Sequence, residues 1–502
     1  MRSTFHGLEA MKRALYVQQT ALNTVSHNVA NANTPGYSRQ VVDMSAFQPL
    51  QYPAVSRGME AGQLGQGSWV DAVRRVRDNF LDAQYRSENE SLGEWGVYRQ
   101  TLDKIQSIIN EPSETGLATV INQFFNAWHD LSLAPEDITA RKLVKQRAIE
   151  LTDTFHHIDA QLKTLDSDLQ SSITNKISEV NNIISQIQGL NHQIRVVESL
   201  GDKANDLRDR RDLLVDQLSK LVDVKVTETS TSYSINIGGL TVLVDDNPPG
   251  VLQYVPNANP ALDVINLVPG GPLAITGGEI KGLLNARQTY VQAYQNQIDA
   301  LVDGLVQGTV QVTHPNGTVM TFNGINGIHE TGYTMHNPTK GNGFAFFING
   351  GGPFTAGNIQ VNNLILNDDQ YITTSDTTYV DGSGNLQAVK GNNAVALMIA
   401  QMQNQKIAFS GGIIGSGTVE DYFQAVVGQL GVQSQQAQRM EKNQEALLQQ
   451  IDNQRQSVSG VSIDEEMADM IKFQHAYNAS ARVITTIDSI LDKIINGMGL
   501  TR

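Results

Sequence analysis

The sequence predicts a mainly α-helical chain with β-rich insertions. The N- and C-terminal helices pair as a coiled coil, a helical bundle forms a second domain, and an outer β domain is inserted into it. Three observations predict this. Leu8, Met11, Leu15, Leu22, Val25 and Val29 step along at alternating three- and four-residue spacings, with Gln18 the one polar break. Ile463, Met470, Phe473, Tyr477, Ile484, Ile487, Leu491, Ile494 and Met498 follow one seven-residue register, broken only by Glu466 and Ser480. Between these ends, helical stripes give way after Val222 to alternating β-branched and polar residues. Neither terminal stripe has a second apolar surface in its own neighbourhood, so the two ends pair with each other, with neighbouring subunits, or with both.

In chain order, the first helix runs from about Ser3 to near Asn33, where Thr34-Pro35-Gly36 ends it. Pro35 pushes Thr34 out of the α region and Gly36 permits a turn. Ser38 to Asp43 and Trp69 to Val76 read as extended, around a Gly- and Pro-containing stretch from Phe47 to Gly67. Helix resumes at about Asp78, with interruptions at Glu111-Pro112-Ser113 and at Pro135. A long helix carries the stripe Ile158, Leu162, Leu165, Leu169, Ile173, Ile177, Val180, Ile184, Ile187, Ile194 and Val197. Its four-residue steps from Leu165 to Ile177 exceed a strict heptad. Gly201 marks a bend, and Leu207, Leu214, Leu218 and Leu221 suggest an antiparallel return helix.

The segment from Val224 to Gly250 then reads as strands and turns, and Pro- and Gly-rich sequence continues to Gly278. Helix returns from Glu279 to about Val306, and a Gly/Asn-rich, β-like stretch occupies about Gly308 to Lys390. Helix dominates again from Ala394, apart from Gly411 to Gly417, and a Gln-rich helix from Tyr422 to Gln456 leads into the C-terminal seam. The expected division is therefore 1–34 with 460–502 as the terminal coiled coil and 223–278 as a β-rich outer insertion. Residues 35–222 with 279–459 form the helical bundle with β-like segments, and 308–390 belongs to it or stands separately.

Composition excludes several function classes. Lys and Arg total 36 against 51 for Asp and Glu, a net charge of −15, which disfavours nonspecific nucleic-acid binding or attachment to an anionic membrane. The chain has no Cys, hence no disulfide, thiolate nucleophile or Cys-ligated metal. The first residues lack the continuous apolar run of about 7–15 residues of a cleaved signal peptide. Nothing approaches the roughly 18 apolar residues of a membrane span, so no membrane insertion is expected.

Candidate catalytic chemistry fails on spacing. His329-Glu330 begins like a zinc-protease motif, but Tyr333 stands where the second His is needed, and the flanking Gly and Pro argue against a helix. His156 and His157 are adjacent and point in different directions. Asp381, Ser383 and Asn385 resemble the start of a calcium loop, but Leu386 replaces the turn Gly and Asn392 the bidentate Glu. The runs Gly62 to Gly67 and Gly411 to Gly417 have neither dinucleotide nor phosphate-loop spacing. Trp128-His129-Asp130 lacks a nucleophile. No catalytic residue, cofactor or metal is expected.

The N-terminal run STFHGLEAMKRALYVQQTALNTVSHNVANANTPGYSRQ, with its Asn31 to Tyr37 turn, resembles the signature of the bacterial flagellar rod and hook axial family. The C-terminal run from Ser459 to Met498 is similar to the matching end of that family's hook–filament junction members. So is the passage KANDLRDRRDLLVDQLSKLVDVKV from Lys203 to Val226. The resemblance covers about a third of the chain, and the stretch from Gly308 to Lys390 departs from it.

The resemblance implies a structural component of the flagellum, forming a homo-oligomeric ring that joins the hook protein to a second junction protein and through it to the filament. It also implies export unfolded through the flagellar type III apparatus, with a cytoplasmic chaperone on the C-terminal region, and an extracellular place at the hook–filament junction. Assembly contacts are expected at Leu8, Met11, Leu15, Leu22, Val25 and Val29, and at Met470, Phe473, Tyr477, Ile484, Ile487, Leu491 and Ile494. Pro35 and Tyr37 join them at the turn. Two other readings remain: a different hook or rod protein of the same family, and an exported enzyme or adhesin carried in the β-rich insertion.

Overall fold

The computed structural model describes residues 5–49, 65–109, 116–229, 232–257, 263–335 and 343–497. Met498, the Glu111-Pro112-Ser113 interruption and the first half of the Gly62–Gly67 run lie outside them. The fold is mainly helical with β-rich insertions. Helix α1 (His6–Asn31) is followed by an antiparallel hairpin of β1 (Gln40–Ala46) and β2 (Ser68–Arg75), which packs along α1. The hairpin presses close at Gly67, which has φ +90°, and a Cβ there would stand 2.8 Å from the Ala10 carbonyl oxygen.

Helices α2 (Asn79–Ile109), α3 (Leu117–Leu133), α4 (Ile138–Ser199) and α5 (Asn205–Leu221) form the central bundle. α4 has 62 residues, about 93 Å of helix at 1.5 Å per residue. Its start is fixed by Pro135, which ends α3, and by Asp137, whose carboxylate accepts from the Thr139 amide at 2.7 Å. The stripe from Ile158 through Ile194 is buried along its length, covered by α3, α5 and the elements that follow.

Six short strands come next. β3 (Val224–Glu228), β4 (Tyr233–Ile237) and β5 (Leu240–Val244) make one antiparallel sheet; β6 (Val251–Val255), β7 (Val264–Val268) and β8 (Pro272–Leu273) make another. The second sheet is pinned to α4, where Asn181 and Leu252 exchange two hydrogen bonds of 2.9 Å. Helix then returns as α6 (Gly278–Asn285) and α7 (Gln292–Gln307), joined by a π-helical turn at Ala286–Val291.

The stretch expected to be β-like from Gly308 to Lys390 is mixed instead. β9 (Thr309–Thr313) and β10 (Val319–Asn323) lead into α8 (Gly324–His329). The hairpin β11 (Phe347–Ile348) with β12 (Gln360–Val361), the helix α9 (Asn363–Asn367) and the hairpin β13 (Thr378–Val380) with β14 (Leu386–Ala388) follow. Its core is aromatic and continuous with α3: Trp128 lies 5.4 Å from Phe346, and Phe346 lies 4.9 Å from Phe347. The buried Arg141 of α4 ties in the other side by donating to Thr374 Oγ1 at 2.9 Å. Then come α10 (Ala394–Met402), β15 (Ile407–Ala408), β16 (Ser416–Gly417), α11 (Val419–Ser459) and α12 (Ile463–Gly497). β9 and β10 join β15 and β16 in one four-stranded antiparallel sheet.

Several of the residues weighed for chemistry have structural partners. His329 does sit on a helix, against expectation, but a six-residue one, and Tyr333 lies in a bridge with Ser375. The His329 ring is fully enclosed: Nδ1 faces the Phe344 carbonyl at 2.5 Å, and Nε2 accepts from the Thr373 amide at 3.0 Å. Burial pushes its pKa down to about 4, which keeps it neutral. His156 bonds the Ile359 carbonyl at 2.8 Å. Asp381 turns the β13–β14 hairpin by accepting from the amides of Ser383 and Asn385. Trp128 is buried, while His129 and Asp130 are exposed on the same helix.

Candidate assembly surface

α1 and α12 lie side by side in opposite directions. At one end Asn28 meets Glu466, and at the other a Cβ placed on Gly7 would stand 3.4 Å from Ile487 Cδ1. Glu466 occupies the same heptad position as Phe473 and Ile487, so what reads as a break in the apolar register is its one buried charged member. Asn28 is fully used. Its Oδ1 accepts from the Tyr37 hydroxyl (2.8 Å) and the Gln40 amide (3.0 Å), and its Nδ2 donates to the Gln40 carbonyl (2.9 Å) and Glu466 Oε2 (3.0 Å). Burial raises the pKa of Glu466, partly offset by that Asn28 bond. A buried polar pair at a seam position costs stability and sets register, because sliding one helix leaves both groups unpaired.

The Asn31–Tyr37 turn is held by amide bonds from Thr34 to the Asn31 carbonyl (2.9 Å) and from Tyr37 to the Thr34 carbonyl (3.1 Å). Gly36 has φ +79° and faces Leu213 of α5, with 3.0 Å from its would-be Cβ to that side chain. Tyr37 also packs edge-on against His27, ring centroids 5.6 Å apart. Tyr37 is thus engaged inside the chain, whereas Pro35 is exposed. Arg39 closes the arrangement: its amide donates to the Ser459 carbonyl (2.8 Å) and its guanidinium pairs with Glu465 (2.7 Å).

Beneath this turn lies a cluster that sequence reading missed. α5 presents Asp209, Asp212 and Asp216 inward at steps of three and four residues, all buried. Arg75 reaches Asp209 (2.7 Å) and Asp212 (2.8 Å), and Arg77 reaches Asp82 (2.8 Å) and Asp212 (3.1 Å). Arg86 and Arg455 both reach Asp216, at 2.7 and 2.6 Å. Burial works to raise the pKa of Asp212, but Arg77, Arg75, Arg211 and Arg86 outweigh it and hold it below the usual carboxylate range. These ion pairs connect β2, α2, α5 and α11, so they anchor the terminal helix pair to the bundle.

The seam residues divide by exposure. In α1 the fully buried line is Val17, Ala21, Val25 and Asn28. Leu8, Met11, Leu15, Leu22 and Val29 flank it, half-buried. Val25 is therefore enclosed by its own chain. In α12, Met470, Phe473, Tyr477, Ile484, Ile487 and Leu491 are half-buried, and Ile494 is exposed. A further set that the single register did not include is also exposed: Met467, Ile471, Val483, Ile490 and Ile495. Their i, i+4 spacings (Met467 with Ile471, Leu491 with Ile495) were the available signal. On the seven-residue register, Met467 and Ile471 lie to one side of the seam, and Val483 and Ile490 to the other.

Three family descriptions match the chain. Residues 8–37 match "Flagella basal body rod protein", 102–344 "Flagellar hook-associated protein FlgK helical domain", and 445–497 "Flagellar basal body rod FlgEFG protein C-terminal". Flagellar hook-associated protein 1 of Bacillus subtilis is 34% identical over 522 aligned residues, covering 100% of this chain and 99% of the relative. The protein of the same name from Escherichia coli is 26% identical, covering 96% and 98%. The solved structure of the flagellar hook junction protein FlgK from Burkholderia pseudomallei has a similar fold, with a TM-score of 0.54 at 16% identity. The match covers 75% of this chain and 100% of that one.

Proposed function

This chain belongs to the flagellar hook-associated protein 1 family, and we propose that it works by closing a ring of subunits through the apolar flanks of its terminal helix pair. It is a structural component of the bacterial flagellum at the junction of hook and filament. The observation that carries the ring reading is that α12 keeps apolar residues outside its own chain on both sides of the seam. A helix with one partner needs one stripe; a helix set between neighbours in a ring needs two more. Burying the exposed halves of six such side chains contributes about 5–9 kcal/mol per subunit, before association entropy is subtracted. α12 is about 52 Å long, enough to form a substantial tube wall.

In this reading the action is mechanical and needs no catalysis. The terminal pair, 1–34 with 460–502, lines the ring; 35–222 with 279–459 forms the supporting bundle; and 223–278 faces outward. The hook protein lies on one side and a second junction protein, leading to the filament, on the other. Before assembly the chain is exported through the flagellar type III apparatus, with a cytoplasmic chaperone on its C-terminal region.

Deleting the gene in its host bacterium tests this role. Hooks without filaments, with flagellin lost to the medium, are expected. Missing hooks would assign the protein to the hook or rod, and normal filaments would remove the junction role altogether.

A further inference from the structure

The α1 face turned away from α12 carries a second feature. Glu9, Lys12, Arg13 and Tyr16 of α1, with Phe47, Ser68 and Trp69 of the β1–β2 hairpin, line a groove of ≈ 500 Å³. Its aromatic floor is fixed: Arg13 stacks over Phe47 at 4.0 Å, and Phe47 meets Trp69 edge-on at 5.8 Å. Its rim is open, with Tyr16 62% and Trp69 47% exposed. Aromatic anchors set beside Arg are the composition enriched where protein surfaces bind one another.

The chain also offers an occupant. Among the described residues, α12 meets the start of α1 at Ile487 and continues ten residues further, to Gly497. In that overhang Ile490 with Ile494, and Leu491 with Ile495, form two i, i+4 pairs side by side, a single apolar arc. Ile490 is 52% and Ile495 67% exposed. Asp488 and Asp492 lie along one edge of the arc and Lys493 along the other, giving a net −1; the groove, with Lys12, Arg13 and Glu9, carries a net +1. Shape class and charge sign both match.

We infer that the overhang of α12, Asp488 to Ile495, seats in the Tyr16–Trp69 groove of the neighbouring copy of this chain. The inference rests on the ring reading and specifies its contact. The contact is heterologous, with different surfaces on the two copies, so it propagates from copy to copy around an axis, as a ring requires, where a self-paired patch stops at a dimer. Lys12 and Arg13 steer the acidic edge of the arc, and Tyr16 and Trp69 cover its isoleucines.

Because the natural chain lacks Cys, cross-linking has no background. Full-length chain with Tyr16→Cys and Ile494→Cys is produced in the deletion strain, and cell-attached junctions are mildly oxidised. The expected result is loss of the monomer band to a ladder of dimers, trimers and longer species, reversed by a reductant; neither single variant produces a ladder. Ser68→Cys with Ile490→Cys gives a second pair should the first impair assembly. Filaments that form normally without a ladder from either pair overturn the inference while leaving the ring reading in place. A fast-migrating, internally cross-linked monomer also overturns it, because the groove then belongs to the chain's own overhang. Normal filaments on the deletion strain itself would instead remove the ring reading.

Discussion

A chain carrying both Ile487→Asp and Leu491→Asp is expected to keep its bundle folded and to leave hooks bare of filaments. Ile487 lies against the start of α1, where a Cβ on Gly7 would come within 3.4 Å, and Leu491 follows it one turn on; both are half-buried. Each substitution removes an apolar side chain and places a carboxylate where assembly must exclude water. Enclosing an unpaired charge costs several kcal/mol. Even about 3 kcal/mol per site weakens a subunit contact by roughly a hundredfold. The aromatic core at Trp128 and Phe346 and the buried stripe of α4 do not include either position. Thermal unfolding of the purified variant should therefore keep the bundle's transition, while electron microscopy of cells shows hooks without filaments. Ordinary filaments on such cells would remove α12 from the subunit contact.

Removing Asp216 should have the next largest effect, on the joint. Its carboxylate holds Arg86 of α2 and Arg455 of α11, and all three side chains are largely buried. Arg455 also stacks over Tyr85 at 4.1 Å, so its guanidinium is fixed in place. Asp216→Ala takes the nearest carboxylate from two enclosed cations, leaving Arg86 with Asp212 at 3.7 Å and Arg455 with Asp82 at 3.6 Å and Asp452 at 3.4 Å, a loss of about 3 kcal/mol. Arg455→Ala removes one of those cations. The double variant should therefore be less destabilised than the sum of the two single losses. Thermal unfolding and proteolysis at the Gly460 linker measure this. Simple additivity would mean that the ion pair does not join α5 to α11.

Much of the fold was legible, because long helices with large apolar residues announce themselves. The α4 stripe is buried at the positions its spacing gave, and the turn at Thr34-Pro35-Gly36 ends α1 close to where Pro35 and Gly36 required. Where reading failed, the cause was physical. The stripe in α1 runs mainly through leucines in the sequence, but the tightest packing follows Val17 and Ala21, where a small side chain lets another element approach. Glu466 reads in the sequence as an interruption because a lone acid normally faces water; only the fold brings Asn28 to it. Asp209, Asp212 and Asp216 look like a solvated face, and their four arginine partners are supplied by β2, α2, α11 and the residues just beyond β2. From Gly308 to Lys390, several strands of two or three residues are too short to show a period.

Two apolar sides of α12 lie outside the chain's own seam, and in the proposed ring assembly covers them. Backbone amide exchange, measured on the purified chain and on isolated hook–filament junctions, tests this directly. Amides of α1 and α12 are expected to exchange at least about tenfold more slowly in the junction, corresponding to roughly 1.4 kcal/mol of added protection, while α4 is unchanged. Unchanged exchange in α1 and α12, with new protection confined to β3–β8, would contradict it and move the subunit contact to the outer sheets.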